Sequence, residues 1–204
     1  MNNNRRSMMT VFSDPACPFS HQTRIVMQEK AIDANLETLN GEWPEEVAAA
    51  NPYGTGPTLF ERDLVLFDSR VIIDYFDERF PHPPLMPVDP AARAKSRLML
   101  HRIDRDWYSL WNALSGKERG KASKARRVIQ EDLTVLAPLF ESTPYFMSEE
   151  FSLLDCSLAP LLWRLPSLNI KLPESARAVE RYAERIFARD SFQASLSDTE
   201  KTMR

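Results

Sequence analysis

The chain has 204 residues, 43% apolar and 27% charged, which fits one or two globular domains and excludes wholesale disorder. Its 26 basic and 29 acidic residues leave a net charge of −3, without the cationic excess of a protein that lives on phosphate contacts, so no independent sequence-specific DNA binding is expected. Five glycines stand against 15 prolines, and none of Gly41, Gly54, Gly56, Gly116 and Gly120 lies in a G-x-x-x-x-G-K-[ST] or G-x-G-x-x-G frame, which excludes the two common phosphate cradles.

Up to Pro81, short apolar runs alternate with helical patterns. The start, through Arg5 and Arg6, is followed by no apolar core of a signal peptide, so none is expected. Met8 to Phe12 reads as a strand. Pro18 to Ala31 reads as a helix, with proline in the first turn, where its missing N–H costs nothing. Leu36 to Leu39 is a weaker strand and Glu45 to Ala50 a short helix. Thr58 to Phe60 and Leu64 to Phe67 are strands joined by the charged Glu61-Arg62-Asp63 turn. Ser69 to Phe80 is a helix with Ile72, Phe76 and Phe80 on one face. The order is β-α-β-α-β-β-α.

Beyond Pro81-His82-Pro83-Pro84-Leu85-Met86-Pro87 everything reads as helix. Asp89-Pro90 is a cap followed by proline at the first helical position. Ile103, Trp107, Leu110, Trp111 and Leu114 then repeat at helical spacing. Ile129, Leu133, Leu136 and Phe140 mark the next helix, which Pro138 should kink or end. Ser152 and Asp155 form a capping-box signature ahead of Leu158, Leu161, Leu162 and Leu165, a helix apolar almost all round and therefore expected to be central. Val179, Tyr182, Ala183 and Ile186 mark one more. The apolar stretch from Leu153 to Leu165 contains Asp155 and Arg164 and is too short to span a bilayer, so a cytoplasmic protein without membrane contact is expected. The expected architecture is α/β plus all-α, with an 8–82 thioredoxin-like domain and an 88–200 helical domain.

Cys17 and Cys156 are far apart and form no C-x-x-C, and no pair among His21, His82 and His101 has i, i+4 spacing. Neither a disulfide framework nor a metal site is expected. Cys17-Pro18-Phe19-Ser20 lies between the first strand and the first helix. A thiol there meets unpaired N–H groups and the positive helix end, which favour thiolate. Cys17 is either a monothiol nucleophile or glutathione site, or a small residue packing at a turn, and Ser20 cannot resolve a mixed disulfide. Gly56-Pro57 precedes the third strand and is a candidate cis peptide presenting its backbone to a ligand or neighbour. Ser69, after Asp68, is a plausible helix cap, or its hydroxyl and the nearby N–H groups take a carboxylate. Lys117, Arg119, Lys121, Lys124, Arg126 and Arg127 form a basic run, either a solvated face or a contact to nearby DNA phosphates. Asp104, Asp106, Glu131 and Asp132 show no paired arrangement fit for acid–base work.

The element order, the x-Pro before the third strand and the Asp68-Ser69 pair resemble the thioredoxin-like half of glutathione transferases. The Phe151-Ser152-Leu153-Leu154-Asp155 capping box is similar to that of their helical half, and Cys17-Pro18-Phe19-Ser20 looks like the omega-class site. Phe19-Ser20-His21-Gln22, the string from Asp77 to Pro87, His101-Arg102-Ile103 with Asp106-Trp107-Tyr108, and the stretch from Ala159 to Pro166 resemble the bacterial stringent starvation protein A family. That resemblance implies a glutathione transferase fold without its activity. It implies a homodimer that binds RNA polymerase holoenzyme with the housekeeping sigma factor under starvation and acid stress, and no cofactor. It places partner contact at Pro81, His82, Pro83 and Pro84, and leaves Cys17, Gly56, Pro57, Asp68 and Ser69 as vestigial glutathione-site positions. Two departures favour different readings. Cys17 supplies a thiol suited to a glutathione-dependent thiol transferase, and Gly56 stands where glutathione-binding relatives carry a bulkier apolar residue.

Overall fold

The computed structural model describes residues 9–39, 41, 43–116 and 120–204. Met8, the expected start of the first strand and first domain, lies outside the described residues, as do Lys117, Glu118 and Arg119 of the basic run. The chain forms two compact units, one holding the chain up to Pro83 with Asp190–Thr202, the other Pro84–Arg189 with Met203–Arg204.

The first unit runs β1 (Thr10–Ser13), α1 (Pro18–Glu29), β2 (Asn35–Thr38), α2 (Glu45–Ala50), β3 (Thr58–Glu61), β4 (Leu64–Phe67) and α3 (Ser69–Arg79). The sheet order is β2-β1-β3-β4. The β1-α1-β2 crossover makes β1 and β2 parallel, while β3 pairs antiparallel with β1 and with β4. The β3–β4 turn is tight enough to put Arg62 at φ 54°, and α1 stops at Glu29 because Ala31 turns to φ 47°. Val11, Ile25, Val26, Leu59, Ile72, Ile73 and Phe76 are all fully buried, so the core is the sheet face under α1 and α3.

Two helices beyond those read from the sequence belong to this unit: α9 (Asp190–Ser195) and α10 (Asp198–Lys201), whereas the helical domain was expected to extend to 200. Buried polar groups attach them. Arg24 donates through Nε to the Ser195 carbonyl at 2.9 Å and pairs through Nη2 with Glu200 at 2.5 Å. His21 faces Ser195 Oγ at 3.0 Å and Glu200 at 3.4 Å. Arg24 Nη1 also reaches Ser13 Oγ at 2.5 Å, so the tail is tied to the end of β1.

The second unit starts with α4 (Pro90–Asp106), capped by Asp89, whose carboxylate accepts the Ala92 N–H at 2.7 Å. The stripe expected to continue to Leu114 breaks at Trp107, passes a 3₁₀ turn at Tyr108–Leu110 and resumes as α5 (Trp111–Leu114). Two polar anchors accompany the break: Trp107 Nε1 donates to Asp132 at 3.0 Å and the Tyr108 hydroxyl to the Ser157 carbonyl at 2.7 Å. α6 (Ala122–Ser142) continues past Pro138 to its end at Ser142. Its buried face of Ala125, Ile129, Leu133, Ala137 and Phe140 spans the proline, and that packing outweighs the lost helical hydrogen bond.

α7 (Leu153–Arg164) is buried along its whole length, and its capping box forms. Asp155 accepts from the N–H groups of Phe146 (2.9 Å) and Ser152 (2.8 Å) and from the hydroxyls of Tyr182 (2.6 Å) and Ser152 (3.0 Å). Burial pushes its carboxyl above the usual 3.8, against the four donors. α8 (Arg177–Phe187) closes this unit.

Candidate functional site

Cys17 is the N-cap of α1, with Pro18 at the first helical position. Its thiol is half-buried and donates to the Gly56 carbonyl at 3.8 Å. The turn ahead of it is fixed locally. Asp14 accepts the Ala16 N–H on its carboxylate at 2.8 Å and donates its own N–H to Ser20 Oγ at 3.1 Å.

Gly56–Pro57 is cis, as the turn before β3 suggested, and so is His82–Pro83. A Cβ on Gly56 would lie 2.7 Å from Ser20 Oγ and 3.2 Å from the Asp14 nitrogen. Glycine is therefore dictated by close approach, and the space a side chain would take is filled by the serine of the Cys17-Pro18-Phe19-Ser20 motif. The approach to Gly56 is held by a residue that the sequence reading passed over. Buried Asn51 donates to the Thr55 carbonyl and to Thr58 Oγ1, both at 2.8 Å, and accepts the Tyr53 N–H at 3.0 Å. The Asn51-Pro52 dipeptide was the available signal, because it favours turn initiation.

The cap of α3 is Asp68 and not Ser69. The Asp68 carboxylate accepts the Arg70 N–H at 2.8 Å while its backbone adopts φ 78°. Ser69 is already inside the helix and 95% hidden, and its hydroxyl donates to buried Gln22 Oε1 on α1 at 3.0 Å. The acidic side chain one residue earlier accepts the second N–H of the helix, so the serine is released for a buried bond. Cys17, Gly56 and Pro57 are thus gathered at one place, and Ser69 meets α1 one turn further along at Gln22.

Pro81, His82, Pro83 and Pro84 are all exposed, whereas Leu85 and Met86, which follow, are buried. Behind the string lies a buried lysine, Lys30, that the sequence reading also passed over. Of the basic run, Arg126 Nε donates to the Leu168 carbonyl at 2.7 Å and Arg127 pairs with Glu131 at 3.6 Å along α6, while Lys121 and Lys124 are exposed. Within the second unit, a groove of about 460 Å³ between α4 and α6 is lined by Ile103, Trp107, Leu136 and Phe146, with Arg102, Asp106 and Asp132 at its polar edge. Among the described residues no three His, Cys, Asp or Glu side chains group as a metal site, and no helix is long and apolar enough to cross a membrane.

The models of the glutathione S-transferase N-terminal and C-terminal domains match residues 16–79 and 89–190. The omega-class glutathione transferase 3C from Trametes versicolor superposes with a TM-score of 0.81 at 23% identity, over 94% of this chain and 85% of that one, which speaks for the fold alone. The stringent starvation protein A homologue of Pasteurella multocida is 48% identical over 95% of this chain and 92% of its own. That of Coxiella burnetii is 45% identical over 98% and 97%. With both halves of the transferase fold present and this identity running the length of the chain, it belongs to the stringent starvation protein A family of the glutathione S-transferase superfamily.

Proposed function

We propose that this chain is a non-catalytic transcription regulator that binds RNA polymerase holoenzyme carrying the housekeeping sigma factor, under starvation and acid stress, and alters promoter use. The observation that carries the reading is the exposure of Pro81, His82, Pro83 and Pro84, the segment at which the family resemblance places partner contact. Prolines are apolar and already stiff, so docking them costs little conformational entropy, and His82 adds one polar handle. The vestigial site supports the same reading from the other side: the Ser69 hydroxyl is spent on Gln22 and the Gly56 carbonyl faces the thiol. The protein acts without a cofactor, in the cytoplasm, as a homodimer. Leu98 and Val135, 62% and 76% exposed on α4 and α6 beside the apolar groove, suit burial against a second copy.

The test is a pull-down with the tagged chain from a starved-cell lysate. Polymerase subunits and sigma factor are expected in the eluate, and their absence sinks the reading.

A second reading, a glutathione-dependent thiol transferase, has one observation in its favour. Cys17 presents a half-buried thiol at the N-terminus of a 12-residue helix, where the dipole favours thiolate. Retention on immobilised glutathione together with a low Cys17 pKa would favour that reading. Passage through the column, with regulation intact in Cys17→Ser, supports the regulator.

A further inference from the structure

The proline string has an unusual backbone problem. A turn over Phe80–Pro83 is ordinarily closed by the first carbonyl accepting the fourth residue's N–H. Here the fourth residue is Pro83, which has no N–H, and of Pro81, His82, Pro83 and Pro84 only His82 carries one. Pro81, His82, Pro83 and Pro84 are exposed, so little packing holds them in place.

Lys30 provides the missing donors. It is the C-cap of α1, and its side chain is fully hidden. Its Nζ lies 2.7 Å from the Phe80 carbonyl, 2.7 Å from the Pro83 carbonyl and 2.8 Å from Asp77 Oδ1. An ammonium has three protons and no acceptor, and these three oxygens match them one for one. Asp77, on α3 and 5% exposed, balances the charge that burial would otherwise penalise. The Phe80 carbonyl is also at the C-terminal end of α3, where a cation is favoured. The first and fourth carbonyls of the turn therefore converge on one buried cation, and Pro81 and His82 form the outward arc between them.

We propose that Lys30, with Asp77 as its counter-charge, is the positioning residue of the partner-docking loop: it closes from beneath a turn that prolines cannot close themselves, and so fixes how His82 is presented. This rests on the docking reading above. Lys30 would touch no partner, yet binding would depend on it.

The experiment compares wild type, His82→Ala and the double variant Lys30→Met/Asp77→Leu, which removes both charges of the pair together. Two measurements are made on each: binding to purified RNA polymerase holoenzyme, and the backbone order parameter of the His82 amide by ¹⁵N relaxation. The double variant is expected to keep native circular dichroism, to lose at least about ten-fold in affinity, and to show an order parameter at His82 falling toward the flexible range, below about 0.6. Unchanged order at His82, or wild-type affinity in the double variant while His82→Ala loses binding, overturns the proposal and leaves the docking reading standing. Wild-type affinity in His82→Ala removes the docking reading instead, and the order parameter still decides whether Lys30 holds the loop. If the double variant fails to fold, Lys30→Gln/Asp77→Asn, closer in shape, replaces it with the same expected direction and the same overturning results.

Discussion

Two proline-marked surfaces of the first unit have gone opposite ways. Around Cys17 the polar groups have turned inward. The thiol faces the Gly56 carbonyl, Ser20 occupies the space beside Gly56, and Ser69 donates to Gln22. Around His82 the backbone has been stripped of donors and the side chains stand in solvent. A small polar ligand needs unsatisfied hydrogen-bonding groups facing a cleft, whereas a protein partner needs a stiff apolar ridge that resists reshaping. The same fold supplies both kinds of surface: polar groups around Cys17 bond one another, while the ridge around His82 stands in solvent.

The largest expected effect falls on the ridge. His82→Ala should bring polymerase recovered in a pull-down to background, a loss of at least about 100-fold in affinity. The ring is exposed, so the melting temperature should stay put. Recovery of normal amounts of polymerase would erase the contrast between the two surfaces.

Next comes Gly56. Gly56→Ala forces a methyl against Ser20 Oγ and the Asp14 backbone, and should lower stability by about 1–3 kcal/mol in urea titration. In a Ser20→Ala background the added cost should shrink, because the closest obstructing atom is gone, and a double-mutant cycle reads the coupling. Polymerase binding should be the same in both variants. A Gly56→Ala protein as stable as wild type would mean that the space is not filled as described.

Ser69→Ala should cost about 1 kcal/mol, since it removes one buried donor from Gln22 Oε1 and leaves the Asp68 cap in place. Thermal or urea unfolding checks this. A cost no larger than that of an exposed serine would return Ser69 to the ligand-binding role.

Much of this was legible in the chain. Apolar runs separated by turn residues placed β2, β3 and β4 to within a residue and β1 to within two, and the Ser152–Asp155 spacing alone announced the start of α7. What escaped has a common physics. The break at Trp107 depends on an indole finding Asp132 and a phenol finding Ser157, and α9 and α10 join the first unit through Arg24 and His21 meeting residues more than 170 positions away. Lys30 carries no mark in the sequence that sets it apart from other lysines, although its three acceptors lie on or just after α3. Periodicity reports which face of an element is apolar. It carries no signal for a buried polar group whose partners are distant in the chain.

The smallest expected effect is the most discriminating for the Cys17 surface. Cys17→Ser keeps a short donor on the Gly56 carbonyl and should change stability by less than about 0.5 kcal/mol. Cys17 is half-buried and Cys156 fully buried, so Ellman's reagent should label one thiol in the folded protein and both after denaturation. If labelling of Cys17 leaves polymerase binding untouched, the reactive thiol and the proline ridge are independent surfaces. If labelling weakens binding, the two surfaces are coupled through the first unit, and the thiol is a regulator of docking instead of a remnant.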